Sequence, residues 1–455
     1  MKLQTTPVFL VSSRFNKGVT LTNGKIAVYN TFSSAFIIVP RSIWDRFLGP
    51  GCRVKEGEIN FSAEAQDLLA QGLLVDDDVD ELDSLRHRIN KINYGSRLKR
   101  FTILPTLNCN LRCSYCFERQ AQDMMTTKFM SEAVENALLH HIARQCRGAK
   151  KVEITWTGGE PLLAMETISR MGHTVRSLFS KADIHLTGSM VTNGTLLTPK
   201  IVKELSALGI RSIQLTVDVP LDNRCDAKGS SYFMEILDRL SMALTGGLNV
   251  HLRVNVLADK EKAFDQLYKE LYVRGIGLSL SSLSFAWVEQ SGKGGCNSGC
   301  HKPSSSIIQT CFWRETQKAM EHNLPVDIIG LNRMDVCGAT DESNELIDHN
   351  GNLYKCWNDI GIAGRAYGSV LDPGRIKNGN LIPWLMYDYL QDPLCHNCIL
   401  LPKCCGGCPH KRRFKSETMG QRYFCTPEIS TLESRIIAFA ANHGKNSIDK
   451  KVDRN

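Results

Sequence analysis

"PTLNCNLRCSYCFE" (Pro105–Glu118) places three cysteines, Cys109, Cys113 and Cys116, within eight positions. Metal sites closed by protein alone usually take four ligands, and this stretch offers no fourth Cys or His. A four-iron cluster held by three thiolates keeps one iron open, and an open position separates a reactive metal site from a structural one. A three-cysteine zinc site and an ordinary ferredoxin-type cluster are the alternatives at this point. What surrounds the loop decides between them.

The chain has 455 residues, too many for one ordinary core, so roughly two or three domains are expected. Its 42% hydrophobic and 22% charged content is that of a globular protein. No apolar run approaches the length that crosses a bilayer, and the start, "MKLQTTPVFLVSSRFNKG", is too weakly apolar for a signal peptide. The reading is a cytoplasmic protein without a membrane partner. Reducing compartments disfavour disulfides, yet there are 17 cysteines, clustered from Cys296 to Cys337 and from Cys395 to Cys425. Clustered thiols argue for metal. The formal charge of +8 counts every thiol as neutral. Three iron–sulfur clusters at about −1 or −2 each would lower it to roughly +3 or +4. "HKRRFK" (His410–Lys415) reads as a solvated face, offset by "DDDVDELD" (Asp76–Asp83), so no nucleic-acid partner is expected.

Residues 1–85 read as a small α+β module, with strands in "GVTLTN" and "KIAVYNTFSSAFIIVP" and helices in "RSIWDRFL" and "AEAQDLLAQGLL". From Arg100 the pattern becomes strand then helix: "RFTILPT", "KVEITWTG", "DIHLTGSMVTNG", "SIQLTVDV", "NVHLRVNVL" and "LSLSSLSFAWV" are the strands. In the intervening "DKEKAFDQLYKEL", Phe264, Leu267, Tyr268 and Leu271 keep helical spacing. The fold class is α/β: six such units make an open, partial (β/α)6 barrel rather than a closed eight-fold one. Active sites of such sheets lie at the carboxyl ends of the strands, where "PTLNCNLRC", "TGGEP", "TNG" and "VDVP" all fall. Beyond residue 290 periodicity fades into Cys-, Gly- and Pro-rich sequence, as where metal fixes the backbone.

Cys109, Cys113 and Cys116, with Tyr115 at the aromatic position, resemble the CxxxCx(aromatic)C motif of the radical S-adenosylmethionine (SAM) superfamily. The resemblance implies that the fourth ligand is SAM itself, through its amino and carboxylate groups. Gly158, Gly159 and Glu160 resemble the GGE motif that holds the SAM amino group, and a side chain on either glycine would block close backbone approach. "TNG" (Thr192–Gly194) supplies Asn193; Thr216 and Asp218 stand where the family commonly has "SLDG", with Val219 departing from its glycine. Arg253 and Asn255 alternate with apolar residues on a strand, and Arg253 suits the SAM carboxylate. The implied chemistry is reductive cleavage of SAM to a deoxyadenosyl radical that abstracts hydrogen from an unactivated carbon.

Cys337, Gly351, Cys356, Cys395, Cys398, Cys404, Cys408 and Cys425 are similar in spacing to the SPASM extension of radical SAM enzymes, the resemblance covering residues 96–430. It implies one auxiliary four-iron cluster on Cys395, Cys398, Cys404 and Cys425, and another on Cys337, Cys356 and Cys408. With the SAM-binding cluster, that makes three. The fourth ligand of the second auxiliary cluster stays open: Leu331 stands where some relatives carry a cysteine, Cys311, Cys300 and Cys296 are candidates, and an open site is the other possibility. Cys405, Cys52, Cys146 and Cys225 read as ordinary thiols. The boundaries expected are a module over 1–85, the barrel over 96–290, a SPASM domain over 291–430 and a C-terminal helix or tail over 431–455.

Sulfatase-maturing members place Asp directly after the second SPASM cysteine; here "YKCWNDIG" has Trp357 there, with Asp359 as the candidate base. Maturases of ribosomally made peptides commonly read "YKCW". The N-terminal module resembles the winged-helix domain that grips a leader peptide as an added strand, with Val28 and Asn30 as candidate edge positions. The expectation is a peptide maturase that installs a carbon–carbon or thioether cross-link, served by a flavodoxin- or ferredoxin-type reductant. Formylglycine formation is one alternative, and an iron–sulfur carrier without SAM chemistry is the other.

Overall fold

The computed structural model describes all residues except 1–8, 56–62, 114, 117, 119–127, 220–231, 257–260, 289–304, 329–335, 415–424, 426 and 453–455. Cys225, Cys296, Cys300 and Leu331 therefore lie outside the described residues. The chain divides into two compact units, one of Met1–Ile92, Ile328–Cys337 and Asp388–Asn455, the other of Asn93–Asp327 and Gly338–Tyr387.

The first unit holds two antiparallel three-stranded sheets. β1 (Phe9–Ser12) and β3 (Ile26–Asn30) are the middle strands: β3 lies between β2 (Asn16–Thr20) and β4 (Phe36–Val39), and β1 between β5 (Arg53–Lys55) and β6 (Leu74–Asp76). Val28 and Asn30 are thus not edge positions. Their strand pairs on both sides and all five of its residues are buried. The reason is visible in "IAVY", a continuous apolar run, which suits a strand covered on both faces rather than one half in water. Val28 packs into a core with Leu10, Phe47, Leu68 and Leu74, while Ala27 and Tyr29 pack with Leu400, Leu432 and Ile436. The acidic run ends as a helix cap: the Asp80 carboxylate accepts from the backbone N–H of Leu82 at 2.7 Å, at the start of the helix Glu81–Tyr94.

The second unit is built on one nine-stranded mixed sheet. β7 (Leu98–Thr106), β8 (Lys151–Gly158), β9 (His185–Thr192), β10 (Ile210–Val219), β11 (Asn249–Val256) and β12 (Ser282–Trp287) lie side by side in chain order, all parallel. A helix follows each, among them Glu261–Val273, which buries Phe264, Leu267, Tyr268 and Leu271 as their spacing predicts. The sheet continues beyond β7 with β13 (Asn344–Ile347), parallel to it, then β14 (Asn352–Tyr354), antiparallel to β13, and β15 (Gly368–Ser369), antiparallel to β14. β12 and β15 are its two edges, so the barrel stays open. The six parallel strands follow from the sequence; the three added strands do not, because they are too short to carry a periodic signal. Among the described residues no helix is long and apolar enough to cross a membrane.

Candidate active site

The ends of β7 to β11 bring together the segments that the motifs single out. The turn after β8 packs directly on the segment that leads to the cysteines. Gly159 N–H donates to the Thr106 carbonyl at 3.2 Å, and Glu160 N–H to the Asn108 carbonyl at 2.7 Å. Gly158 has φ +117, and a Cβ there would lie 2.2 Å from the Thr106 oxygen; one on Gly159 would lie 2.2 Å from the Asn108 oxygen. Both positions must be glycine for a reason internal to the chain: the cysteine segment occupies the space.

Cys113 is buried, and Cys109 and Cys116 are partly so. Burial is the main reason the Cys109 thiol is pushed up to about 11 and the Cys116 thiol to about 12, with repulsion from Glu160 and Glu118 respectively, and then from the neighbouring sulfurs, adding to it. Both of these thiols favour the protonated form near neutral pH, and metal loading must displace those protons. Cys109 Sγ accepts from Leu111 N–H at 3.4 Å and from the Asn193 side-chain amide at 3.8 Å. Among the described residues no group of three or more His, Cys, Asp or Glu is drawn into metal-ligand geometry. The donor set itself, three soft and mutually interacting thiols on one loop, fits an iron–sulfur cluster.

The aromatic position of the loop is anchored by its hydroxyl. Tyr115 OH lies 2.7 and 2.6 Å from the two carboxylate oxygens of buried Asp218, near the end of β10. Asn255 Nδ2 reaches the same hydroxyl at 3.5 Å, and exposed Arg253 donates through Nε to Asn255 Oδ1 at 3.0 Å. Parallel pairing sets Thr216 opposite Arg253 and Asp218 opposite Asn255, so four expected SAM contacts share one patch. Glu160 is fully buried. Its carboxylate accepts from Leu162 N–H at 3.1 Å, Thr192 OH at 2.7 Å and Asn193 N–H at 2.8 Å. Glu118, which sequence reading passed over, is buried and pushed up to about 7 by burial. Its neighbour Cys116 is the one signal that marked it.

The remaining cysteines divide between the units. In the first, Cys395 accepts at Sγ from Arg412 Nη2 at 2.9 Å, and Arg412 also pairs with Asp392 and donates to the Gly406 carbonyl at 2.7 Å. Cys398 and Cys404 pack around Leu400 against Ala27 and Tyr29 of β3. Cys408 caps the helix Pro409–Arg413, its sulfur accepting from Lys411 N–H at 3.5 Å. Cys337 and Cys425 are partly buried. In the second unit, Cys356 is buried, and Cys311 lies in the barrel's apolar core on the helix Ser305–Glu321. Asp359 is also buried, with Arg365 Nη1 at 3.8 Å, whereas Trp357 is 37% exposed.

A parallel open barrel with a three-cysteine loop after its first strand defines a class of protein, the radical SAM enzymes. The model of the Radical SAM superfamily matches residues 103–271, and this chain carries a radical SAM domain. It is an enzyme whose relatives include a radical SAM cyclopropyl synthase and an anaerobic sulfatase-maturating enzyme. It is 23% identical over 368 residues, 74% of each chain, to the radical SAM cyclopropyl synthase TigE of Paramaledivibacter caminithermalis. It is 24% identical over 333 residues to the serine-type anaerobic sulfatase-maturating enzyme of Klebsiella pneumoniae, covering 66% of this chain and 79% of that one. In fold it is similar to anSMEcpe with bound AdoMet (TM-score 0.57, 17% identity, 77% of this chain and 99% of that one). It is likewise similar to Streptococcus suis SuiB bound to precursor peptide SuiA (TM-score 0.52, 13% identity, 92% and 100%).

Proposed function

We propose that the protein is a peptide maturase that uses SAM to abstract hydrogen from a short precursor peptide and so installs a carbon–carbon or thioether cross-link. The observation that carries this reading is the extent of the fold likeness. It spans 92% of the chain with SuiB in its complex with a precursor peptide, against 77% with anSMEcpe. Trp357, where sulfatase maturases carry their Asp, and burial of Asp359 beside Arg365 favour it over formylglycine formation.

Cys109, Cys113 and Cys116 would hold the SAM-binding four-iron cluster, and the seven cysteines from Cys337 to Cys425 two auxiliary ones, with Cys311 as a candidate further ligand. When bound, the cluster and SAM supply an organic radical; the protein holds and orients them and keeps water away. The patch of Tyr115, Thr216, Asp218, Arg253 and Asn255 would bind SAM, with Gly158, Gly159, Glu160 and Asn193 shaping its other side. Asp359 stays the candidate base, and a flavodoxin or ferredoxin the electron donor. The setting for this chemistry is the cytoplasm.

The test is anaerobic incubation of reconstituted protein with SAM, reductant and a short peptide encoded beside its gene. Deoxyadenosine formation, together with a peptide that has lost two hydrogens and resists fragmentation between two residues, supports the reading. A hydrazide-reactive aldehyde on the product would favour formylglycine formation instead. No deoxyadenosine at all would leave an iron–sulfur carrier.

A further inference from the structure

Asn193 and Thr195 follow β9, and Asn110 follows Cys109. Their side chains close a ring of hydrogen bonds. Thr195 OH donates to Asn193 Oδ1 at 2.6 Å, Asn110 Nδ2 donates to Thr195 Oγ1 at 2.8 Å, and Asn193 Nδ2 donates to Asn110 Oδ1 at 2.9 Å. Thr195 N–H adds a second bond to Asn193 Oδ1 at 3.0 Å. The ring fixes both amides, because turning either one over would set donor against donor. One N–H of Asn193 is used in the ring, and its nitrogen stands 3.8 Å from Cys109 Sγ, within reach of the second. Asn193 is 6% exposed, Thr195 7%, and Glu160, which holds the Asn193 backbone N–H at 2.8 Å, is fully buried.

From this we propose that Asn193 is a positioning residue for the SAM-binding cluster, donating to the Cys109 sulfur from an amide that Thr195, Asn110 and Glu160 lock in place. The inference rests on the reading of Cys109 as a cluster ligand. Hydrogen bonds to ligand sulfurs raise the reduction potential of a cluster, because they stabilise the more negative, reduced state. An amide free to turn would spend part of its time presenting oxygen to the sulfur. Glu160 then serves the site through the Asn193 backbone, with its carboxylate already accepting three donors.

The experiment is a redox titration of the reconstituted holoprotein, followed by the paramagnetic signal that changes when SAM is added. Asn193→Asp, which replaces the donor by an oxygen of the same shape, should lower the midpoint by up to about tenfold in the reduction equilibrium, or 59 mV for one electron. Thr195→Val, which opens the ring by removing the hydroxyl bonded to Asn193 and Asn110 while leaving the Asn193 amide and Cys109 themselves unchanged, should shift it less and in the same direction. A purely structural role would lower thermal stability and leave the midpoint in place. Wild-type midpoints in both variants, with iron content intact, would overturn the inference. If Asn193→Asp fails to retain iron, the Thr195→Val midpoint decides alone. A wild-type protein without any SAM-responsive signal would overturn the cluster assignment, and this inference with it.

Discussion

Cys109 and Cys395 are both read as cluster ligands, yet their sulfurs meet different chemistry. Cys109 faces neutral donors, the Leu111 N–H and the Asn193 amide, presented by loops at the ends of parallel strands. Cys395 faces a guanidinium at 2.9 Å, itself held by Asp392 and the Gly406 carbonyl. The backing differs as well. The Cys109 segment lies against the Gly158–Gly159 turn, whereas the Cys395–Cys404 segment is backed by the N-terminal sheet. Thr31 OH donates to the Ile399 carbonyl at 2.5 Å, Arg14 to the His396 carbonyl at 2.7 Å, and Lys403 reaches Ser34. One set of thiols thus depends on the barrel, and the other on residues far away in sequence.

The largest effect expected is from Cys109, Cys113 and Cys116 changed together to Ala. Of roughly twelve irons in the reconstituted protein, about one third should be lost, and deoxyadenosine should vanish. A variant that still cleaves SAM, or a wild-type protein holding zinc, would remove the barrel half of the comparison.

Next comes Asn30→Pro. Asn30 is fully buried; its Nδ2 donates to Ser13, Asn16 and Gly72, its Oδ1 accepts from Phe32 and Ser33 N–H, and its own N–H donates to Ala35. Proline deletes all of these in a middle strand, where each buried partner left unsatisfied costs about 1–3 kcal/mol. Auxiliary iron should fall while the SAM-responsive signal persists. Unchanged total iron would show that the Cys-rich segment does not need the N-terminal sheet.

The smallest effect is from Arg412→Met. It leaves Cys395 and Asp392 without their guanidinium, and hydrogen bonds to charged groups contribute about 1.5–3 kcal/mol. Calorimetry should record melting lowered by about 2–4 °C per kcal/mol, with partial recovery in Arg412→Lys. An unshifted transition would mean that the Cys395–Arg412 contact contributes nothing to stability.

What the sequence determined by itself was the barrel and its reactive loop. β8 runs from Lys151 to Gly158 as its residues predict, and cysteine spacing together with the GGE segment named the chemistry. Those signals are local: strand periodicity and ligand spacing survive in one dimension. Tertiary structure alone decided the rest. The apolar run in "KIAVYN" suits a strand covered on both faces, but it does not say which strands flank it, and pairing with β2 and β4 is what made Val28 and Asn30 middle-strand positions. The reach of Asn193 toward Cys109, across a sequence separation of 84, has no signature in either segment. Neither has the meeting of Arg412 with Cys395, because a hydrogen-bond partner is chosen by position in space, which spacing along the chain does not encode.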